Sequence, residues 1–535
     1  MPGPLEGPGL TIPALAAAAA ERFGDRPAID DGTTQISYGN LFEQARRFGA
    51  ALVATGVQPG DRVGIWAPNG AEWVVALLGL LQAGAVLVPV NTRFKGPEAA
   101  VILSRGRVRA LVIVTDFLGT DYVAMLRSAG TELPDLGTIV VAAGQPTDGT
   151  ESWAAFVDRP GSADLAEVDR RRAAVSPEDP SDILFTSGTT GVPKGVVMTH
   201  SRTLSVATDW VAMTGLSSTD RYLMINPYFH MFGLKGGILA CVSAGAAMLP
   251  EAVFDVDRVL DRVQRERVTV LPGPPTLYQS ILDHPRRQRY DLSSLRVAVT
   301  GSADIPVELI RRIHDELPFS TIISGYGLTE GGTATGTSPG DEFEAIATTV
   351  GRPRPGFEIR VVDSNGVEMP AGQAGEILLR GRSVMSHYLD DPEATSATLS
   401  ADGWLKTGDL GVFDEAGRLR IVGRVKDMFI VGGFNAYPAE IENALLRHPD
   451  VRQAAVIGVP DARLGEVGVA FVVLRSGSRT SGADVISWAR DQMANYKVPR
   501  VVHIVDELPL NATGKVEKNI LRARATGAAA GATPK

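Results

Sequence analysis

Cysteine is almost missing from this sequence, which has only Cys241 among its 535 residues. One thiol cannot build an internal disulfide or a cysteine-based metal site, so a disulfide framework is excluded and a reducing, cytoplasmic location is expected. Cys241 lies in the apolar stretch GGILACVSAG. We therefore expect a core residue there rather than a nucleophile.

An excess of positive charge is lacking as well. The chain has 52 Lys and Arg residues against 61 Asp and Glu residues, which gives a net charge of −9, and it has no long basic run. This balance argues against nucleic acid or an anionic membrane as the main partner.

Long apolar runs are also scarce, and the N-terminus shows no signal-peptide pattern. The strongest transmembrane candidate, WVVALLGLLQAGAVLVPV (73–90), is interrupted by Gln82, Gly84 and Pro89. We interpret it as a buried helix, a glycine turn and a buried strand, and we expect no integral membrane segment.

The order of sequence patterns predicts an α/β protein with two domains. Helix-length and strand-length patterns alternate through the first 330 residues, which is typical of parallel sheets covered by helices. After about residue 345 the patterns indicate antiparallel hairpins, and a small α/β unit follows Arg424. We predict a large N-terminal domain (1–425) of α/β subdomains with a small β-barrel-like region, and a small mobile α+β C-terminal domain (426–535).

The segment SGTTGVPKG (187–195) has the composition of a phosphate-binding loop. Its glycines allow backbone N–H groups to surround an anion, its hydroxyls add donors, and Lys194 adds charge. Strand-like sequences flank it on both sides, whereas a P-loop joins a strand to a helix. The alternative interpretation is a flexible polar hairpin.

This loop resembles the signature loop of the adenylate-forming superfamily, which includes acyl-CoA synthetases, luciferases and the adenylation domains of peptide synthetases. Seven further motifs resemble that family in order and spacing. They are NPYFHMFG (226–233), GSADIP (301–306), SGYGLTE (324–330), WLKTGD (404–409), GRVKD (423–427), GGFNAYPAEIE (432–442) and NATGK (511–515).

The resemblance implies binding residues for three cofactors: ATP, Mg²⁺ and coenzyme A. Tyr326 would stack on adenine, Asp409 would bind the ribose hydroxyls with Arg424 nearby, and the loop near Gly301 would pack by adenine. The implied cofactor-binding residues are Thr186, Ser187, Gly188, Thr189, Thr190, Gly301, Ser302, Ala303, Gly325, Tyr326, Gly327, Asp409, Arg424, Gly432, Gly433, Phe434 and Asn435. The family often has glycine at position 302, so Ser302 is a departure.

The resemblance also implies catalytic residues and a moving domain. Thr329 would bind the α-phosphate, Glu330 would be the metal ligand, and Lys515 would bridge the substrate carboxylate and the α-phosphate. The implied catalytic set is Lys515, Glu330, Thr329, Lys194 and His230. Lys426 falls at the hinge position, and rotation there would bring the loop 432–435 to the site for coenzyme A. Ile430 replaces a lysine that some family members carry.

The segment around His230 indicates a branch of the family. NPYFHMFGLKGG contains no Asp to bind an α-amino group, which disfavours amino acids and favours an acyl-CoA ligase acting on a small-molecule carboxylic acid. The amino-acid sequence of this region resembles that of ligases of actinobacterial sterol catabolism. This resemblance implies an indanedione propanoate as substrate.

Several alternatives stay open from the sequence. The alternative substrate is a medium- or long-chain fatty acid. The alternative activity is that of an acyl-AMP ligase that loads a carrier protein. The non-enzymatic alternative is an inactive nucleotide-binding module. Gly236, Gly237, Gly331 and Gly332 either leave room for a bulky acyl group or serve only the backbone. A homodimer is left open.

Overall fold

The computed structural model describes residues 5, 9–32, 34–186, 193–301, 307–432, 434–511, 515–525 and 527, without the side chain of Asn435. Helices and strands alternate in the first third of the chain, as predicted. In order they are α1 (Ile12–Phe23), β1 (Pro27–Asp30), β2 (Gln35–Ser37), α2 (Tyr38–Ala54), β3 (Arg62–Trp66), α3 (Ala71–Gln82), β4 (Val86–Pro89), α4 (Gly96–Arg105), β5 (Val108–Val114), α5 (Tyr122–Ser128), β6 (Thr138–Ala143), β7 (Glu151–Ser152), α6 (Trp153–Asp158), α7 (Ser162–Ala174) and β8 (Pro180–Thr186).

The same alternation continues to residue 353, with one π-helical segment inside a longer helix. In order the elements are β9 (Lys194–Thr199), α8 (His200–Thr214), β10 (Arg221–Met224), α9 (Met231–Gly233), the π-helix (Leu234–Leu239), α10 (Ala240–Ala244), β11 (Ala247–Pro250), α11 (Val256–Glu266), β12 (Val270–Gly273), α12 (Pro275–Leu282), a 3₁₀ turn (Arg287–Arg289), β13 (Val297–Thr300), α13 (Val307–Glu316), β14 (Thr321–Leu328), β15 (Gly332–Gly336), α14 (Phe343–Thr348) and β16 (Arg352–Pro353).

The remaining elements form the predicted antiparallel region and the C-terminal unit. The antiparallel region has β17 (Phe357–Val362), β18 (Gly375–Gly381), β19 (His387–Tyr388), α15 (Pro392–Thr398), β20 (Leu405–Phe413) and β21 (Leu419–Arg424). The C-terminal unit has β22 (Phe429–Val431), β23 (Phe434–Ala436), α16 (Pro438–Leu445), β24 (Val451–Asp461), β25 (Gly465–Leu474), α17 (Gly482–Gln492), β26 (Val501–Ile504) and α18 (Lys518–Ala525).

Two large, mainly parallel sheets form the body of the N-terminal domain. One has nine strands in the order β16-β15-β14-β13-β12-β10-β11-β1-β2, and the other has eight in the order β19-β9-β8-β4-β3-β5-β6-β7. Their central strands, such as β4, β12 and β13, are buried along their whole length, as parallel strands covered by helices on both faces must be. The segment 73–90 folds as predicted, with α3 and β4 joined through Gly84 at a φ of +76°.

Two smaller sheets complete the fold. Strands β17, β18, β20 and β21 form a four-stranded antiparallel sheet, and the C-terminal domain is built on a five-stranded sheet. Cys241 is fully buried, which confirms that it is a core residue. Among the described residues, no helix has the length and apolar character needed to cross a membrane.

The topology brings the predicted motifs to one edge of the nine-stranded sheet. Strands β10, β12, β13 and β14 are parallel neighbours, so their carboxyl ends lie side by side. NPYFHMFG follows β10, GSADIP follows β13, and SGYGLTE includes the last residues of β14 and the turn after it. Ligands of open α/β sheets bind at this edge, because the loops that leave the strand ends surround it.

Candidate active site

Asp409 on β20 is held by two of the predicted nucleotide-binding residues. The hydroxyl of Tyr326 donates a hydrogen bond of 2.7 Å to Asp409 Oδ2. Nε of Arg424 lies 3.0 Å from Asp409 Oδ1, and the two residues are cross-strand partners on β20 and β21. The structure therefore brings Tyr326, Asp409 and Arg424 together, although 83 positions separate Tyr326 from Asp409.

The phenol of Tyr326 is fixed as the donor in this group. Burial, and after it the negative charge of Asp409, raise the pKa of Tyr326 well above its usual value. The phenol therefore keeps its proton, and the carboxylate of Asp409 stays the acceptor.

The loop predicted to pack by adenine meets β14 directly. A Cβ atom on Gly301 would lie 3.4 Å from the carbonyl oxygen of Gly325, and one on Gly327 would lie only 2.3 Å from the carbonyl oxygen of Gly332. Position 327 therefore requires glycine for close approach of the backbones. Ser302 and Ala303 lie outside the described residues.

The predicted phosphate loop joins two antiparallel strands. Thr186, the last residue of β8, pairs with Lys194, the first residue of β9. This confirms the strand–loop–strand context that separates the segment from a P-loop. Ser187, Gly188, Thr189 and Thr190 lie outside the described residues.

Glu330 is connected to Lys194 through a tyrosine that the sequence did not single out. The hydroxyl of Tyr388 donates a 3.0 Å hydrogen bond to Glu330 Oε1, and Nζ of Lys194 lies 5.0 Å from the centre of the Tyr388 ring. Burial, and after it the charge of Glu330, raise the pKa of Tyr388, so its phenol remains protonated. Thr329 lies beside Glu330 in the turn after β14.

A magnesium ion fits Glu330 only together with a substrate. The described residues contain no group of three or more His, Cys, Asp or Glu side chains that could hold a metal. Glu330 offers a carboxylate, which is a hard oxygen ligand of the type that Mg²⁺ prefers. Mg²⁺ is commonly bound by one or two carboxylates, with phosphate oxygens and water completing its shell, and this site matches that pattern.

His230 is held as a neutral imidazole. Its Nδ1 accepts a 3.2 Å hydrogen bond from the backbone N–H of Phe232, so the ring proton is on Nε2. Burial, and after it the positive charge of Lys515, lower the pKa of His230 to about 4. The imidazole is therefore uncharged at neutral pH.

Lys515 lies near enough to His230 for its charge to lower the pKa of that imidazole. Lys515 belongs to the last motif of the chain, whereas His230 follows β10 in the N-terminal domain. Asn511 N–H donates to the carbonyl of Lys515 at 2.8 Å, and Lys515 N–H donates to Asn511 Oδ1 at 2.9 Å, so Asn511 holds the backbone of the lysine on both sides. The charge of one predicted catalytic residue therefore acts on another in the N-terminal domain.

Lys426 lies in an exposed turn between β21 and β22. The backbone N–H groups of Asp427 and Met428 both donate to the carbonyl of Arg424, at 3.1 and 3.0 Å. A short turn between two sheets is a suitable place for a hinge, because few residues must change their backbone angles there.

The predicted coenzyme A loop, residues 432–435, begins after β22 and continues into β23. Gly432 has a φ of +57°, in the left-handed region that favours glycine. Phe434 is 60% exposed, and its ring stacks on Tyr496 with 5.1 Å between the ring centres. Gly433 and the side chain of Asn435 lie outside the described residues.

The four glycines proposed to widen an acyl pocket instead allow close packing. A Cβ on Gly236 would lie 2.9 Å from the indole of Trp210, and one on Gly237 would lie 2.7 Å from Met224. A Cβ on Gly331 would lie 2.8 Å from Leu328, and one on Gly332 would lie 2.3 Å from the hydroxyl of Ser383. The space beside them is already filled, so the interpretation as empty room was wrong.

Two features of the site carry no local sequence signal. Tyr388 contacts Glu330 across 58 positions, and the segment SHYLDD around it has no pattern typical of catalysis. The buried pair of Asp182 and Lys235 joins β8 to the π-helix. Only the isolated charge of Lys235, inside the apolar run MFGLKGGILAC, could have drawn attention to the second feature.

Comparison with known proteins places the chain in a family. The sequence profile of the AMP-binding enzymes matches residues 16–389, and that of the AMP-binding enzyme C-terminal domain matches residues 440–515. The chain belongs to the AMP-binding enzyme family. Its fold is the α/β fold of adenylate-forming enzymes, with a large N-terminal and a small C-terminal domain.

Individual relatives cover nearly the whole chain. A 3-[(3aS,4S,7aS)-7a-methyl-1,5-dioxo-octahydro-1H-inden-4-yl]propanoyl:CoA ligase of Rhodococcus jostii is 48% identical over 96% of this chain and 98% of its own. A ligase of the same name from Mycobacterium tuberculosis is 49% identical over the same shares. The crystal structure of the anthranilate CoA ligase AuaEII with anthranoyl-AMP is 30% identical, with a TM-score of 0.89 over 98% of this chain and 99% of its own.

Proposed function

We propose that this protein is an ATP-dependent acyl-CoA ligase that works in two steps. In the first step a carboxylate oxygen of the acid attacks the α-phosphorus of ATP, and acyl-AMP and pyrophosphate form. In the second step the thiol of coenzyme A loses its proton and its sulfur attacks the acyl carbonyl, which releases AMP and leaves a thioester. The observation that carries this proposal is the group formed by Tyr326, Asp409 and Arg424, which joins three of the predicted nucleotide-binding residues.

The first step needs positive charge where two anions approach each other. A carboxylate and a triphosphate repel, and charge develops on the α-phosphate as the new bond forms. We assign Lys515 to offset this charge, because a positioned ammonium stabilises a transition state more than the separated reactants. The neutral His230 adds an Nε2–H donor without adding a second positive charge.

The nucleotide would be bound by the groups around Asp409 and the predicted phosphate loop. Asp409, already oriented by Tyr326 and Arg424, is assigned to the ribose hydroxyls. The segment Thr186–Lys194 is assigned to the outer phosphates, and Thr329 to the α-phosphate. Glu330 is assigned to Mg²⁺, which when bound would neutralise the leaving pyrophosphate.

For the second step we assign a rotation of the C-terminal domain about Lys426, which is our proposed boundary between residues 1–425 and 426–535. The residues exposed near that turn support it: Ile430 is 46% exposed and Phe434 is 60% exposed. Gly432 to Asn435 would then face the site and admit coenzyme A.

The acid that we propose is the bicyclic indanedione propanoate named for the two relatives at 48% and 49% identity. Identity at that level over nearly the whole chain supports the same acid. A cytoplasmic location and a homodimer remain predictions, and neither is needed for the chemistry.

A panel of acids tests this function. Purified protein would be incubated with ATP, Mg²⁺ and coenzyme A together with the indanedione propanoate, octanoate, palmitate, benzoate or phenylalanine. We expect AMP, pyrophosphate and acyl-CoA in equal amounts, fastest with the indanedione propanoate. A faster reaction with octanoate or palmitate would move the assignment to a fatty acid. Formation of AMP without consumption of coenzyme A, and transfer to a carrier protein instead, would show an acyl-AMP ligase.

A further inference from the structure

Tyr388 is fixed beside the start of the predicted phosphate loop. It belongs to the short edge strand β19, where it pairs with Val196 on β9. The next residue, Leu389, donates its backbone N–H to the carbonyl of Gly195 at 2.7 Å. The Tyr388 side chain is buried, with a residue exposure of 6%, and therefore has little freedom to move relative to Lys194.

The same segment is also bonded to Glu330. The backbone N–H of Met385 donates to the carbonyl of Glu330 at 2.7 Å, and the Tyr388 hydroxyl donates to Glu330 Oε1 at 3.0 Å. Nζ of Lys194 lies 5.0 Å from the centre of the Tyr388 ring, within the range of a cation–π contact. One side chain therefore contacts both charged groups that we assign to the phosphates and the metal.

Tyr388 separates two charges that would otherwise attract each other. Within the part of the chain that the structure describes, Glu330 and Lys194 form no direct ion pair, although both contact the same tyrosine. A direct ion pair would occupy both groups, and ATP and Mg²⁺ would have to break it in order to bind. A ring that binds the cation on its face and the carboxylate through its hydroxyl satisfies both charges and leaves them apart.

We infer that Tyr388 is a positioning residue that keeps the carboxylate of Glu330 and the ammonium of Lys194 apart and oriented for magnesium-bound ATP. Its two contacts have separable roles: the hydroxyl orients the carboxylate, and the ring keeps the lysine away from it. This inference rests on the proposed function for the identity of the nucleotide.

Two substitutions separate the two contacts. Tyr388→Phe removes only the hydroxyl, and Tyr388→Leu removes the ring as well. Tyr290→Phe is a matched control, because the hydroxyl of Tyr290 also donates to a carboxylate, Asp257, at 3.2 Å, on a part of the domain to which we assign no substrate. Calorimetric titration of each full-length variant with ATP, once with Mg²⁺ and once with EDTA, measures the affinity and the part of it that depends on the metal.

For Tyr388→Phe we expect ATP affinity in EDTA within about twofold of the unchanged protein, and the gain on adding Mg²⁺ reduced by about tenfold, as for loss of a hydrogen bond to a charged group. For Tyr388→Leu we expect about tenfold weaker binding of ATP with and without Mg²⁺, because Lys194 can then pair with Glu330. Tyr290→Phe should match the unchanged protein in both titrations.

The inference would be overturned if Mg²⁺ increased the ATP affinity of Tyr388→Phe as much as that of the unchanged protein. It would also be overturned if this variant lost ATP affinity equally with and without Mg²⁺. Thermal unfolding of the same samples shows whether each variant is folded. The proposed function is judged separately, by whether the unchanged protein forms acyl-CoA from any acid. If the unchanged protein forms no acyl-CoA, the proposed function fails, but the ATP titrations still test the role of Tyr388.

Discussion

Nζ of Lys235 lies 3.0 Å from Asp182 Oδ1, and the two side chains are only 1% and 3% exposed. The hydroxyls of Ser181 and Thr203 donate to the other carboxylate oxygen, at 2.7 and 2.5 Å. Asp182 lies on β8, which leads into the predicted phosphate loop, and Lys235 lies in the π-helix that follows His230. This buried ion pair therefore connects β8, which leads into the predicted phosphate loop, with the π-helix that follows the segment around His230.

Removing only one charge of this pair should destabilise the protein strongly. Lys235→Met leaves Asp182 buried without its cation, and we expect the free energy of unfolding of the N-terminal domain to fall by about 3–5 kcal/mol. Urea unfolding followed by tryptophan fluorescence measures this change. The exposed pair of Arg170 and Glu167, 2.7 Å apart, provides the control, and Arg170→Met should leave the unfolding midpoint nearly unchanged. Equal effects of the two substitutions would contradict the role given to burial.

The carboxylate of Asp409 should be needed for nucleotide binding. We expect Asp409→Asn to raise the KM for ATP by about tenfold or more, because an amide accepts fewer hydrogen bonds than a carboxylate and loses the ion pair with Arg424. Tyr326→Phe removes only the 2.7 Å hydrogen bond that orients the carboxylate, so its effect should be smaller. Acid-dependent exchange of pyrophosphate into ATP measures both variants. An unchanged KM for ATP in Asp409→Asn would show that the ribose lies elsewhere.

Loss of the Lys515 ammonium should separate the two half-reactions. Lys515→Ala should slow formation of acyl-AMP by about a hundredfold or more, which is typical for removal of one group that stabilises developing charge. The same variant should convert supplied acyl-AMP and coenzyme A to acyl-CoA at nearly the original rate. Single-turnover assays of each half-reaction test this, and equal loss in both would contradict the assignment of Lys515 to the first step.

A stiffer turn at Lys426 should slow the second half-reaction and spare the first, which is the opposite of the effect expected for Lys515→Ala. Proline fixes φ and restricts the preceding residue, so Lys426→Pro should impede rotation of the C-terminal domain. We expect acyl-AMP to form at close to the original rate, and its conversion to acyl-CoA to slow by about tenfold or more. Lys426→Ala keeps the turn free to rotate and serves as the control. If the proline variant lost only the first half-reaction, a hinge at this position would be wrong.

Buried His200 should make stability depend on pH. Its Nδ1 accepts a 3.3 Å hydrogen bond from Ile12 N–H, and burial lowers the pKa of His200 to about 4 from 6.5. Below pH 6.5 the unfolded chain binds a proton that the folded protein does not, so stability should fall between pH 6.5 and 4, by up to about 3 kcal/mol. His200→Asn keeps an acceptor but does not titrate. Unfolding at pH 7 and at pH 5 should differ less for that variant, and an identical pH dependence would remove His200 as the cause.

Much of the fold was predictable because its signals are local. Apolar runs broken by glycine and proline predicted buried elements, and the structure has α3 and β4 where the sequence of 73–90 indicated a buried helix and a buried strand. The strands on either side of the predicted phosphate loop, β8 and β9, were likewise found where their patterns lie. Such patterns suffice because a strand covered on both faces must be apolar along its own length.

The sequence left the role of the four glycines open, because their surroundings are not a local property. A sequence shows that Gly236 lacks a side chain, but it does not show what fills that space. Trp210, from a different helix, lies where a Cβ atom on Gly236 would be. Close packing between elements distant in the chain decides this, and it leaves no local signal.

The sequence by itself determined the family, the two-domain α/β plan and the identity of most candidate site residues, because each motif is a short run whose chemistry can be read in place. Only the tertiary structure decided how those residues act on one another. It placed Tyr388 between Glu330 and Lys194, joined Asp182 to Lys235 in the core, and brought Tyr326 to Asp409. Charges interact through space, so their partners are set by the packing of distant segments rather than by their order in the chain.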